Sequence, residues 1–170
     1  GRLMKRKSIT LILLVVVLAL LSTTAFAAGS TTTTVPVTLT VANAYRAVNV
    51  TFPASLPVYV INGTVVTADN AKITNNSKSG NVQVTAVSVT DGAYKVGNYI
   101  EFSGSKTIAL KINGCPTVTA GNMNLLANAF PVISAGKDLP LTYFAKVSGD
   151  APNAENVNAA NVVFTISIVD

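Results

Sequence analysis

Seven carboxylates and one thiol are the side chains from which this chain could build a reactive centre: Asp69, Asp91, Glu101, Asp138, Asp150, Glu155, Asp170 and Cys115. There is no histidine. Its absence removes the commonest general base, the usual activator of a nucleophile and the commonest metal ligand. What remains is carboxylate chemistry. A glycosidase needs two carboxyl groups across the scissile bond, and only folding could bring Asp138 to Asp150 or Glu155. Acids beside Gly and Asn more often serve turns, because a short polar side chain bonds the backbone two residues on. The same reading applies to Asp69 and Asn70, which with Val65 and Thr67 could otherwise offer oxygens to calcium. No phosphate-cradling glycine loop or calcium loop is present. The expectation is a non-catalytic protein with no cofactor and no metal.

Cys115 stands alone, so no internal disulfide can form. Free cysteine is among the most buried residue types and behaves as a small apolar side chain. Its place after Asn113-Gly114 and before Pro116 leaves open a free thiol at a strand end. The candidate ligand contacts are aromatic. The five tyrosines are Tyr45, Tyr59, Tyr94, Tyr99 and Tyr143, and there is no Trp. Tyr94 and Tyr99, near a turn, are the pair that could offer a small stacking platform to a glycan; otherwise they are rim and core residues. Asn49, Asn62 and Asn75 each begin an Asn-x-Ser/Thr triplet, a weak signal in a chain so rich in Asn and Thr.

The N-terminus locates the protein. After the expected start Met4 come Lys5-Arg6-Lys7, then thirteen residues from Ile9 to Leu21 without a charge, then Ala25-Phe26-Ala27. A basic start, a short apolar core and a small-x-small ending make an export signal over residues 1–27, cleaved between Ala27 and Ala28. The other reading is a retained anchor. Thirteen apolar residues fall short of the roughly 20 that cross a bilayer, so any membrane contact is through this segment alone if it stays uncleaved. The mature chain is then secreted.

Charge follows the same division. The chain has 12 basic and 7 acidic residues, a net charge of +5 and a pI near 9.5. Arg2, Lys5, Arg6 and Lys7 belong to the signal segment, so the remainder carries 8 basic residues against 7 acids, a net charge of +1. Its lysines are scattered singly. A nearly neutral domain without a basic stripe does not track phosphates, which argues against nucleic acid as a partner. Low charge also leaves little to oppose self-association.

The elements that must position these residues read as strands. Residues 28–34 are a polar, flexible leader, and 35–170 is one domain. Val35, Val37, Leu39 and Val41 alternate with Pro36, Thr38 and Thr40, the pattern of a strand with one apolar face. Such a strand either opens its own sandwich or leaves it to fill a neighbour's sheet edge, as a donor strand. Ala47–Phe52 and Leu56–Ile61 follow. Asn62-Gly63 and Asp91-Gly92 are hairpin signals. In Val82–Thr90 the apolar face changes sides midway, which predicts a bulge or burial on both faces. Short strands are expected at Tyr94–Val96 and Tyr99–Phe102, and longer ones at Lys106–Asn113, Leu139–Val147 and Asn161–Val169. Residues 122–130 hold the one helix candidate, with Met123, Leu126, Ala127 and Phe130 at near-helical spacing. The sum is an all-β, two-layer antiparallel sandwich, immunoglobulin-like or jelly-roll.

Three segments carry a resemblance: Val50-Thr-Phe-Pro-Ala-Ser-Leu-Pro-Val58, Ala71-Lys-Ile-Thr-Asn-Asn-Ser77 followed by Val82-Gln-Val-Thr85, and Val162-Val-Phe-Thr-Ile166. The chain resembles small secreted surface proteins of Gram-positive bacteria, the WxL-type proteins and the camelysin and TasA-like matrix-fibre group. The resemblance implies a sandwich at the cell surface or in the extracellular matrix of a biofilm, structural or adhesive rather than catalytic. Its partners would be further copies of itself or a cell-wall component. The alternative is an extracellular module that binds glycan or peptide through loops at one end of the sandwich.

Overall fold

The computed structural model describes the backbone of residues 14–18, 30–33 and 37–41, and residues 49–152 and 156–169 in full. In chain order the strands are β1 (Leu14–Leu18), β2 (Ser30–Thr33), β3 (Val37–Val41), β4 (Val50–Thr51), β5 (Val58–Ile61), β6 (Thr64–Thr67), β7 (Lys72–Asn75), β8 (Asn81–Asp91), β9 (Lys95–Val96), β10 (Thr107–Ile112), β11 (Cys115–Pro116), β12 (Gly121–Asn122), β13 (Asp138–Pro140), β14 (Tyr143–Val147) and β15 (Ala160–Val169). The described residues contain no helix.

The architecture is an all-β sandwich. One sheet runs β12-β8-β15-β1-β3. The other side of the core is built from β11-β10-β14, with β9 added beside β10. The β2-β5-β6 sheet meets β14 through Thr67, whose Oγ1 donates to the Tyr143 carbonyl at 2.9 Å. A further small sheet is β13-β7-β4, and ahead of β13 Ile133 forms an isolated bridge with Val82 of β8. Between them lie Leu56, Ile73, Val87, Ile108, Leu110, Ile112, Leu141, Val162 and Phe164, all sealed from solvent. Phe52 stacks on Phe164 with ring centroids 5.8 Å apart.

The longest ladder, β8 with β15, explains the changing face of Val82–Thr90. Ile166 pairs with Val84 and Thr165 with Ala86, so Thr85 is the extra residue of a bulge. The skip lets Val82, Val84, Val87 and Val89 all face the core, although the first pair and the second are out of phase. Thr85 itself is exposed. A bulge inserts one residue into one strand and turns the local alternation by one position.

Turn chemistry fixes two hairpins. Asn62 and Gly63 have φ of 50° and 79°, and Ile61 pairs with Thr64 across them. Asn113 and Gly114 repeat this with φ of 45° and 80° between Ile112 and Cys115. Asn and Gly accept left-handed backbone at least cost, as a two-residue hairpin loop demands.

Several expectations fail for identifiable reasons. Asp91-Gly92 does not make a hairpin: the chain leaves β8 there, and β9 joins β10 in parallel. Gly92 is needed for close approach, since a Cβ on it would lie 2.6 Å from the Asn158 carbonyl oxygen. Residues 122–130 form no helix. Gly121–Asn122 pairs with β8, and Asn128 stands at φ 63°. Asn disfavours the helix interior, and a turn closed by the Ala129 amide on the Leu126 carbonyl at 3.2 Å carries Phe130 into the core while Leu126 stays 52% exposed. Leu139–Val147 is two strands, because the chain passes from β7 to β10 at Leu141-Thr142. Tyr99–Phe102 is a turn, with Asn98 Oδ1 accepting from the Ile100 and Glu101 amides at 2.9 and 3.1 Å.

Candidate functional site

Three of the carboxylates, Asp91, Asp138 and Asp150, have structural duties. Asp138 accepts from Lys72 Nζ and from Thr74 Oγ1, each at 2.7 Å. The hydrogen bond from Lys72 holds its carboxyl below the usual range, with Thr74 adding to the effect. Asp150 caps the backbone at Lys106, at 3.1 and 3.2 Å to its two oxygens. Asp91 Oδ1 accepts from the Val96 amide at 2.8 Å. Asp138 and Asp150 thus serve different elements, and Glu155 and Asp170 lie outside the described residues. No group of three acid, histidine or cysteine side chains able to hold a metal occurs among the described residues. Thr67 Oγ1 is spent on β14.

Cys115 is fully buried. Its sulfur accepts from the Leu126 amide at 3.3 Å. Asn75 is buried as well, its amide donating to the Gly80 and Ile133 carbonyls at 3.0 Å each, so its sequon is not presented.

Two features remain as sites. The first is the edge of β15. On one side β15 is bonded to β8 along its whole length, from Ala160–Asp91 to Val169–Asn81. On the other side it meets β1, with Leu14 in register with Ile166. Then β3 pairs antiparallel with β1, from Leu14–Val41 to Leu18–Val37. The candidate donor strand Val37–Val41 therefore lies one strand removed from β15, with the apolar run of the N-terminal segment between them. Two successive antiparallel pairings make β3 run parallel to β15. Val35, Ala27 and Ala28 lie outside the described residues.

The second feature is an aromatic and cationic patch on the solvent side of the β10–β14 pair. The expected Tyr94–Tyr99 platform is not present, because the two rings part company. Tyr94 is 2% exposed, and burial pushes its hydroxyl pKa up, with Asp150 adding to the effect. Tyr99 instead meets residues distant in sequence. Lys146 Nζ lies 4.7 Å from its ring centroid and donates to its carbonyl at 2.7 Å. Lys111 Nζ lies 5.2 Å from the same ring and 5.4 Å from that of Phe144. Lys111 and Phe144 are direct partners in the ladder, and Lys146 is two residues along the same face. Sequence reading missed Lys111, Phe144 and Lys146. The signal was present as Lys111 among Ile108, Leu110 and Ile112, and as the Phe144-x-Lys146 alternation. Each marks an outward position on a strand whose other face is core.

Comparison with family models, curated proteins and solved structures returns no match for this chain. No helix among the described residues is long and apolar enough to cross a membrane.

Proposed function

We propose that this is a secreted, non-catalytic structural or adhesive protein of a bacterial cell surface or extracellular matrix, which self-associates by strand addition at β15. One observation carries the reading: the second edge of β15 is met by β1, with Leu14 in register with Ile166, and β1 belongs to the segment that reads as an export signal. Cleavage after Ala27 takes that strand away. The edge of β15 around Ile166 would then present unpaired N–H and C=O groups, a template for another chain. Val37–Val41 remains in the mature chain and alternates as an added strand must. A neighbour's copy can enter in either direction. The chain's own copy, shifted inward by one strand spacing of about 4.8 Å, would add in parallel, the slightly weaker pairing. Asp91, Asp138 and Asp150 serve the scaffold, as backbone acceptors and in an ion pair. The resemblance to Gram-positive matrix proteins supports the structural reading.

The test is to express the full gene in an exporting Gram-positive host and weigh the secreted product. Light scattering after size-exclusion chromatography then follows its size with concentration, with Cys115→Ser alongside. The expected product begins at Ala28 and forms species that grow with concentration in both proteins. A product that stays monomeric at every concentration overturns strand addition. Oligomers in the wild type alone assign association to the thiol.

A further inference from the structure

We propose that the face formed by Tyr99, Lys111, Phe144 and Lys146 is a binding site for an acidic polysaccharide, one whose sugar rings carry carboxylates. The site is independent of strand addition, because it lies on the β10–β14 side of the sandwich and β15 lies in the other sheet.

Charge supplies the first part of the argument. Among the described residues the ion pair within 4.0 Å is Lys72–Asp138, so neither Lys111 nor Lys146 is paired with a described carboxylate. Lys146 spends one donor on the Tyr99 carbonyl. Lys111 has aromatic rings for its near neighbours, at 5.2 and 5.4 Å. Cation–π contact of this kind holds an ammonium in place without neutralising its charge. Two positioned cations beside one ring are complementary to an anion.

Shape supplies the second part. Phe144 is 49% exposed, Ile100 69% and Val118 64%. Ile100 follows Tyr99 in the chain. Val118 follows Thr117, whose carbonyl accepts the Tyr99 amide at 2.9 Å. The cations thus share this side of the sandwich with exposed aromatic and aliphatic side chains, and exposed apolar surface of this kind marks interaction sites. A pyranose ring offers an apolar C–H face to stack on Phe144 and a ring substituent to reach Lys111 or Lys146. A uronic acid supplies both on one residue. A nucleic acid would ask for a longer basic track than two lysines, and the domain's net charge outside the signal segment is only +1.

The test measures binding of the full chain to polygalacturonate, dextran and poly-glutamate by isothermal titration calorimetry at two salt concentrations. The expected result is binding to polygalacturonate that weakens with added salt, and none to neutral dextran. Lys111→Gln with Lys146→Gln should weaken it at least tenfold, and Phe144→Ala several-fold. Lys78→Gln, an exposed lysine elsewhere, should leave it unchanged. Phe144 and Lys78 are exposed, Lys111 and Lys146 half-buried, and a circular dichroism melt checks that each variant is folded. Absence of binding to polygalacturonate overturns the proposal, as does equal loss with Lys78→Gln. Poly-glutamate bound as tightly as polygalacturonate, with Phe144→Ala inert, would overturn it in favour of an acidic peptide.

Discussion

Deleting Thr85 should be tolerated better than deleting Ser88, three residues on in the same strand. Thr85 is the extra residue of the bulge, exposed, with its neighbours Val84 and Ala86 already paired to successive residues Ile166 and Thr165. Without it, β8 becomes a regular strand in which Val82, Val84, Val87 and Val89 keep one face by simple alternation. No buried apolar side chain is lost. The cost is the local twist of the bulge and a shift at the Val82–Ile133 bridge, about 1 kcal/mol. Deleting Ser88 brings Val87 and Val89 together. Alternation then forces one of them outward in any register, although both are fully buried in the native chain. Exposing a valine forfeits about 1.5–3 kcal/mol, and the space left beside Phe164, the ladder partner of Val87, raises this to about 2–5 kcal/mol. Urea unfolding followed by circular dichroism reads the difference as a midpoint shift at constant slope. A Thr85 deletion as destabilising as the Ser88 deletion would refute the bulge argument.

Other outcomes follow from single contacts. Tyr143→Phe removes a hydroxyl that donates to the Pro57 carbonyl at 2.6 Å and accepts from the Ala68 amide at 3.1 Å. Chemical denaturation should show a loss of about 2–4 kcal/mol, two hydrogen bonds with their partners left unmet. Burial pushes the Tyr143 pKa from 10.0 up to about 12. The neutral phenol is the folded form, so its contribution is fully present below pH 10 and is lost as pH rises towards 12; Tyr143→Phe should flatten that decline in an alkaline stability series. Gly92→Ala would set a Cβ 2.8 Å from the Ala159 carbonyl carbon and oxygen, costing about 1–3 kcal/mol in a melt. Cys115, fully buried, should ignore a thiol reagent until the protein unfolds; prompt labelling of the native chain would show that the β11 end opens.

The sequence by itself determined that the chain is all-β, that Asn62-Gly63 turns a hairpin and Asn113-Gly114 ends a strand, and that β8 carries a fault in its alternation. These are local properties: β-branched period-2 patterning, left-handed φ at Asn62 and Asn113, and a phase change between Val84 and Val87. They depend on neighbours two or three residues away. Tertiary structure decided the rest. Met123, Leu126 and Phe130 have helical spacing, yet the neighbouring β8 offers Gly121–Asn122 a ladder and the core draws Phe130 in. Asp91-Gly92 is a hairpin signal overridden by the approach of the Asn158–Ala159 backbone. Tyr94 and Tyr99 are five residues apart, but one faces the core and the other the solvent. The companions of Tyr99 come from strands up to 47 residues away. A surface site depends on which strands become neighbours, and that follows from burying the apolar faces of all the strands together, a sum no local pattern contains.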